Sequence, residues 1–413
     1  MSFLSEIREE NKKDGLFASN VVSVSYPLGF PILDELLGAI YIRKLPDGSI
    51  VEEVHKGIPA GSFTIFTGPT SSGKTSAAIQ AAANIVEPFG ELSSVIHRDG
   101  EKSATYDRVQ ALTGWSNQQI EDSYSIERDN CTWENVLSEI IKLGEKKAAE
   151  PNKYVYSTGQ RDIWGNEYKY YVPTVMIIDS IMKFVSKNEA IDTINGLTAG
   201  GRNAIYNGNF FRNALEPMYK YNINVIVIIH LDDDMPAPGG FSKPKQMTFM
   251  LNGKRMSGGN KTRLLTSSII GWLPHTSKDD ISSEEVNGWN GVLTDAYILK
   301  SRTSIGGMKA TMEFVQESGF DQIITLMHFA KEKGLILGRN PGSHFEIAPD
   351  VKFDTRIMMN ELRDKPEVVS ALLRACKDPL RSLIPVIDTS DDSNLIRSAK
   401  RKMDIKQMMR DLL

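Results

Sequence analysis

Eight consecutive residues, Gly68-Pro69-Thr70-Ser71-Ser72-Gly73-Lys74-Thr75, constrain this chain more than any other stretch. They fit the pattern G-x-x-x-x-G-K-[ST]. The run Ser62–Thr67 before them predicts a strand, and the Ala-rich run Thr75–Val86 after them predicts a helix. Between a strand and a helix this pattern forms a phosphate-binding loop. Its glycines let backbone N–H groups turn inward around phosphate oxygens, and the helix N-terminus adds favourable partial charge. In such a loop Lys74 reaches the β- and γ-phosphates and Thr75 holds Mg²⁺. Gly68 through Thr75, with Ser76 behind them, are therefore the candidate ATP-binding residues.

A second metal group is expected at the end of a strand. Val175–Ile178 is a short, wholly apolar run that delivers Asp179 at its C-terminal end, where open α/β sheets bind ligands. Asp179 is the candidate Mg²⁺-shell carboxylate, and ATP with Mg²⁺ the expected cofactor. Val225–Ile229 is a second such run, and Ser93–His97 reads as a third strand. Apolar, β-branched runs of this kind suit strands buried on both faces of a parallel sheet. Helix-like segments alternate with them at Ser103–Leu112 and Thr132–Lys147. The expected class is α/β, with a doubly wound core.

The 413 residues allow two or three domains at about 150 residues each. Lys and Arg total 48 against 52 Asp and Glu, so a wholesale cationic coat for nucleic acid is excluded and any such contact must be local. Cys131 and Cys376 alone supply neither a disulfide framework nor a multi-Cys zinc site. The N-terminus lacks a signal-peptide apolar run, and no stretch approaches the roughly 20 apolar residues of a membrane span. The expectation is a cytoplasmic protein without a membrane partner.

Several segments interrupt the alternation. Residues 40–55 predict a hairpin about Pro46-Asp47-Gly48. Residues 151–172, rich in Tyr and Gly, read as an inserted hairpin. Residues 188–209 and 232–263 read as long loops, and such loops inside compact domains are usually functional or disordered. The organisation expected is an N-terminal arm and hairpin over 1–56, a core over 57–335 and a small α-rich region over 336–413.

These features together resemble the RecA-type recombinases, nearest in character to their phage members. Gly57-Ile-Pro-Ala-Gly-Ser62 resembles the family's lead-in, and Gly68–Thr75 its phosphate loop. Asp99-Gly100-Glu101 resembles its D-x-E element, Ser257-Gly258-Gly259-Asn260 the end of its second DNA loop, and Lys300-Ser301-Arg302-Thr303 a basic core strand. Gly319-Phe320-Asp321 through Gly334-Leu335-Ile336 resembles the strand and helix closing the core. The match spans roughly residues 30–340 in consistent order.

The resemblance implies a RecA-like ATPase core and the following roles. Glu101 activates the attacking water. His230, where bacterial members carry Gln and phage members His, senses the γ-phosphate. Lys300 and Arg302 reach the ATP of a neighbouring subunit. Tyr106 stacks on adenine, or else packs in the core, since its spacing from Glu101 is shorter than the family's. The implied activity is DNA-dependent ATP hydrolysis driving a helical filament on single-stranded DNA, with homologous double-stranded DNA as the second partner. The rivals are a hexameric helicase and an ATP-switched assembly or regulatory protein without strand exchange.

Lys243, Lys245, Lys254, Arg255, Lys261 and Arg263 are interleaved with Phe241, Met247, Phe249, Met250 and Met256. Cations for phosphates and apolar side chains between bases are the chemistry of single-strand binding. With Gly258, Gly259 and Asn260 they form the candidate second DNA loop, whose start, Asp232–Asp234, is unexpectedly acidic. Arg202 and Asn203 mark the candidate first loop. Residues 397–413 carry Arg397, Lys400, Arg401, Lys402, Lys406 and Arg410 among Met403, Ile405, Met408 and Met409. Such a helix touches DNA, a partner or a neighbouring protomer, or docks on its own domain.

Overall fold

The computed structural model describes residues 24–129, 131–161, 167–187, 200–233, 254–275, 291–336, 344–348, 351–354, 365–390 and 393–412. Its centre is a ten-stranded mixed sheet. The strands are β1 (Phe63–Gly68), β2 (Ser94–Asp99), β3 (Tyr124–Glu127), β4 (Thr174–Asp179), β5 (Ile223–Asp233), β6 (Lys254–Met256), β7 (Ser268–Pro274), β8 (Gly291–Lys300), β9 (Lys309–Val315) and β10 (Gly319–Asp321). Their order is β10-β9-β8-β7-β1-β5-β4-β2-β3, with β6 paired to the end of β5. From β7 to β3 the pairing is parallel. The β7–β8, β8–β9, β9–β10 and β5–β6 pairs are antiparallel.

Alternation along the central strands explains the layers. Side chains of successive strand residues point to opposite faces. Phe66, Val175, Ile177, Ile226 and Ile228 join a core under helix α1 (Lys74–Val86), whose Ala77, Ala78, Ala81 and Ala82 allow it to lie close to the sheet. Phe63, Ile65, Met176, Ile178, Val225 and Val227 face the other way, into a second core. Helices α3 (Trp133–Ala149) and α4 (Gly200–Tyr221) cover that face with Trp133, Val136, Ile140, Phe210, Phe211 and Met218. Phe63 and Phe211 stack with ring centroids 4.2 Å apart. The two-sided burial expected from the apolar runs is what the structure shows.

Helix α2 (Tyr106–Thr113) starts at Thr105, whose side chain accepts from the Arg108 N–H. The hairpin about Pro46–Gly48 forms from Ala39–Lys44 and Ile50–His55. The inserted hairpin forms from Val155–Arg161 and Glu167–Tyr171. Asp321 caps α6 (Gln322–Glu332) by accepting from the N–H groups of Ile323 and Ile324.

Two expectations need correction. Residues 200–209 are not loop: α4 already begins at Gly200, so Arg202 lies in the first turn of a helix. The bounds 1–56 and 336–413 also cut through shared structure. Helix α7 (Pro366–Arg381) places Val368, Leu372, Cys376 and Leu380 in the core under α1. The strand Val386–Asp388 that follows pairs in parallel with Ala39–Lys44. Arg381 forms an ion pair with Glu52 on the same hairpin. The chain's two outer segments thus build one three-stranded sheet. Helix α8 (Asn394–Leu412) leaves from that sheet.

Candidate functional site

The parallel strands end together. Gly68 of β1 pairs with His230 of β5, and Asp179 of β4 pairs with Asp99 of β2. One edge of the sheet therefore gathers the phosphate loop, two buried carboxylates and a histidine.

The loop between β1 and α1 requires its glycines. A Cβ on Gly68 would meet the Trp272 carbonyl oxygen at 2.2 Å. Gly73 sits at φ +82 and turns the chain into α1, a conformation that costs glycine little. Ser71 also takes positive φ, at +61. Thr70 and Ser71 are exposed at the tip, while Ser72, Lys74 and Ser76 are buried. Lys74 donates from Nζ to the Pro69 carbonyl at 2.5 Å and lies 3.4 Å from Ser72 Oγ. Burial lowers the Lys74 ammonium to about 8, against the attraction of Asp179 and Glu101. A phosphate anion in the loop would add counter-charge to this amine and compete with the Pro69 carbonyl for it.

Thr75 donates from Oγ1 to Asp179 Oδ2 at 2.8 Å. Burial pushes the Asp179 carboxyl up to about 6, with Glu101 and Asp99 adding to the rise and the Thr75 bond opposing it. Its other oxygen, Oδ1, is buried and has no hydrogen-bond partner among the described residues. A hydroxyl and a half-satisfied carboxylate are hard oxygen ligands that fit Mg²⁺. Among the described residues no group of three or more His, Cys, Asp or Glu forms a metal cage. Mg²⁺ typically takes one or two protein ligands and fills its shell with phosphate oxygens and water.

Glu101 lies just beyond β2. Its Oε1 is 2.9 Å from His230 Nε2, and both side chains are 30% exposed. A carboxylate only accepts, so Nε2 carries the proton. Burial pushes Glu101 up, but hydrogen bonds with His230 and Ser180, together with the charges of His230 and Lys183, outweigh it and hold the carboxyl below its usual range. The structure thus brings together Lys74, Thr75, Glu101, Asp179 and His230.

It places other expected residues elsewhere. The Tyr106 hydroxyl accepts from the Ile126 N–H at 3.3 Å. Its ring lines a cavity bounded by α2, the helix Asn117–Ser123 and β3, with no phosphate-loop residue in the lining. Lys300 donates from Nζ to the carbonyls of Arg263, Leu264 and Thr266 at 2.7, 3.0 and 2.6 Å. Arg302 donates to Leu264 O at 2.9 Å. Both therefore clamp the C-terminal end of α5 (Asn260–Leu265) of the same chain.

Of the second candidate DNA loop, β6 pairs back on β5, matching Asp232 to Arg255 and Asp233 to Lys254 in register. Gly258 and Gly259, at φ +96 and +86, turn the chain into α5, which carries Asn260, Lys261 and Arg263. A Cβ on Gly258 would lie 3.1 Å from Ile181 Cδ1, two residues beyond Asp179. Lys243 and Lys245 lie outside the described residues.

Two supporting residues carry no signal in the sequence. Arg108 donates to Ser76 Oγ at 3.1 Å and to the carbonyls of Gln316 and Glu317, joining α1 to the β9–β10 turn. Arg128 Nε stands 3.7 Å from Asp99 Oδ2. Neither belongs to a local motif, so only the folded chain reveals them. Compared with known proteins, the chain matches no protein-family model, and no curated protein sequence matches it significantly.

Proposed function

We propose that this chain is an Mg²⁺-dependent ATPase of RecA-like character that assembles on single-stranded DNA and promotes homologous pairing and strand exchange. The observation that carries the reading is the 2.8 Å contact of Thr75 with Asp179, set beside the buried Lys74 and a carboxylate, Glu101, at the same sheet edge. Lys74 and the loop N–H groups bind the phosphates, and Thr75 with Asp179 holds the ion. Mg²⁺, when bound, neutralises charge on the β- and γ-phosphate oxygens. Glu101 orients and deprotonates the attacking water, with His230 fixing its orientation and keeping it ionised.

The strand order supports this. β5 lies between the phosphate-loop strand and the Asp179 strand, carries His230 at the shared edge and runs on into the hairpin with β6. Gly258 on the return of that hairpin abuts Ile181. The nucleotide edge and the proposed DNA segment are therefore joined by short connections.

The testing experiment is ATP turnover with and without single-stranded DNA, alongside Lys74→Ala and Glu101→Gln. DNA-stimulated turnover lost in both variants supports the reading, and turnover unaffected by DNA removes the DNA motor from it. One observation favours a second reading, an ATP-switched assembly protein without strand exchange: the Lys300 amine is fully engaged within its own protomer.

A further inference from the structure

We propose that the basic helix α8 of one copy docks against the pocket at the β3 edge of a second copy. The pocket holds about 480 Å³ and is lined by Tyr106, Asp107, Gln110, Ile120, Glu121 and Tyr124 among its residues. Tyr106 is 49% exposed there. Asp107 and Glu121 supply negative charge, and Asp122 and Glu127 are exposed nearby. The two neighbouring arginines do not neutralise this face. Arg108 is committed to the carbonyls of Gln316 and Glu317, and Arg128 to the Ala104 carbonyl beside Asp99. An aromatic ring flanked by carboxylates suits a Lys or Arg side chain, whose stem covers the ring and whose charge lies over it or meets the acids.

Helix α8 supplies the complement. Residues 401–410 are all exposed. Lys402, Lys406 and Arg410 recur at i, i+4 and i+8, along one face. Beside them Ile405, Met408 and Met409 recur at i, i+3 and i+4 and are 50%, 65% and 59% exposed. The positive charge of this helix complements the acidic rim of the pocket, which selects a second copy of the chain as the occupant. Among the described residues the helix does not fill the pocket of its own chain: residues 401–410 are all exposed and Tyr106 is half exposed. It departs from Val386–Asp388 in the three-stranded sheet, whereas the pocket lies along the outermost parallel strand of the central sheet. Two different surfaces meeting in this way form a heterologous contact, which propagates as a ring or an open filament.

The inference deepens the assembly part of the proposed function, and its test is kept apart from ATP chemistry. Full-length protein is followed by sedimentation velocity over a concentration series, without nucleotide or DNA. The expected result is self-association that weakens with salt. A helix variant, Lys402→Glu with Lys406→Glu and Arg410→Glu, should associate at least about tenfold more weakly. So should a pocket variant, Glu121→Lys with Asp122→Lys. All five positions are exposed, and unchanged melting temperatures establish folding. Mixed together, the two variants should associate again, since each basic surface now meets an acidic one. Met408→Ser with Met409→Ser gives an independent reading of the apolar stripe and should also weaken association. A wild-type chain that stays monomeric throughout overturns the proposal, as does a mixture that fails to associate. If the helix variant loses single-stranded DNA binding while self-association is unchanged, α8 is a nucleic-acid surface instead. ATP turnover of the same variants in dilute solution reports separately on the nucleotide site.

Discussion

His230 and Glu101 lie 129 positions apart in sequence and 2.9 Å apart in space. The contact exists because β5 carries His230 into register with Gly68 of β1, while β2 delivers Glu101 just past the same edge. A charged hydrogen bond of this kind holds the acid ionised and fixes its direction. It also joins the proposed water-activating group to the strand that continues into the β5–β6 hairpin.

The first prediction concerns Glu101. Glu101→Gln keeps the shape and loses the base, so it should bind ATP yet turn over at least about tenfold more slowly, roughly 1.4 kcal/mol in barrier. Equilibrium nucleotide binding and steady-state turnover measured together check it. Wild-type turnover would assign water activation to another group.

His230→Ala should act through the same carboxyl. Removing the imidazole donor takes away the first of the interactions that lower Glu101, leaving those of Ser180 and Lys183, so its pKa rises. The base is active when ionised, and the acid limb of the pH–rate profile should therefore move to higher pH. Turnover above that limb should be less affected. An acid limb that does not move would separate His230 from the ionisation of Glu101.

Asp179 gives a prediction about stability in which site and fold oppose each other. Its folded pKa, about 6, lies above the ordinary 3.8. The folded state then binds more protons than the unfolded state between these values. The contribution is fully favourable below about 3.8 and is lost as pH rises through about 6. Asp179→Asn removes the buried charge, so the ligand-free protein should gain roughly 1–3 kcal/mol at pH 7 to 8. It should at the same time lose any rise in melting temperature caused by Mg²⁺ with ATP. Thermal melts of both proteins, with and without ligand, check both signs. A destabilised ligand-free Asp179→Asn would show that the Thr75 bond dominates.

The nucleotide edge is legible in the sequence because its signals are local. Gly68–Thr75 must turn between a strand and a helix, and the run Val175–Ile178 suits a strand buried on both faces. Residues 40–55 and 151–172 announce hairpins through their turn and strand composition. Where partners are distant along the chain, the residues say nothing of them. Nothing near Arg108 tells that it will hold the β9–β10 turn. Nothing in 336–413 tells that Val386–Asp388 will pair with Ala39–Lys44. The Gly-rich run before Tyr206 hides the start of α4 because Gly200 and Gly201 are poor helix formers, and the apolar face that fixes the helix comes later, at Phe210, Phe211, Ala214 and Met218. Lys300 and Arg302 are legible as a pair of cations on one side, but their carbonyl acceptors at 263–266 lie over thirty residues upstream.

The DNA prediction rests on α5. Lys261 is exposed and Arg263 partly so, at the base of the β5–β6 hairpin. Replacing both with Ala should weaken single-strand binding and flatten its salt dependence by about 0.7 for each phosphate no longer neutralised. Binding titrations across a salt series check it. An unchanged slope would return these two residues to ordinary surface.

The last prediction separates a clamp within the protomer from a contact across subunits. Lys300 satisfies three carbonyls at the end of α5, and Arg302 shares one of them. If the clamp is their whole role, Lys300→Met should destabilise the isolated protomer by about 1–3 kcal/mol, because carbonyls lose a charged donor. Arg302→Ala should then cost less and leave assembly intact. If they also serve a neighbour's phosphates, Arg302→Ala should fold normally yet lose DNA-stimulated turnover and ATP-dependent assembly together. Mixing Arg302→Ala with Lys74→Ala distinguishes the two outcomes. An interface that joins an intact phosphate loop to an intact Arg302 from the other protein should regain part of the turnover if the charge acts across subunits. The same mixture should show no turnover beyond that of Arg302→Ala alone if Arg302 acts only within its own protomer. Because the Arg302 guanidinium donates to Leu264 O, recovery in the mixture would further mean that assembly draws Arg302 from the end of α5 and leaves Lys300 to hold it.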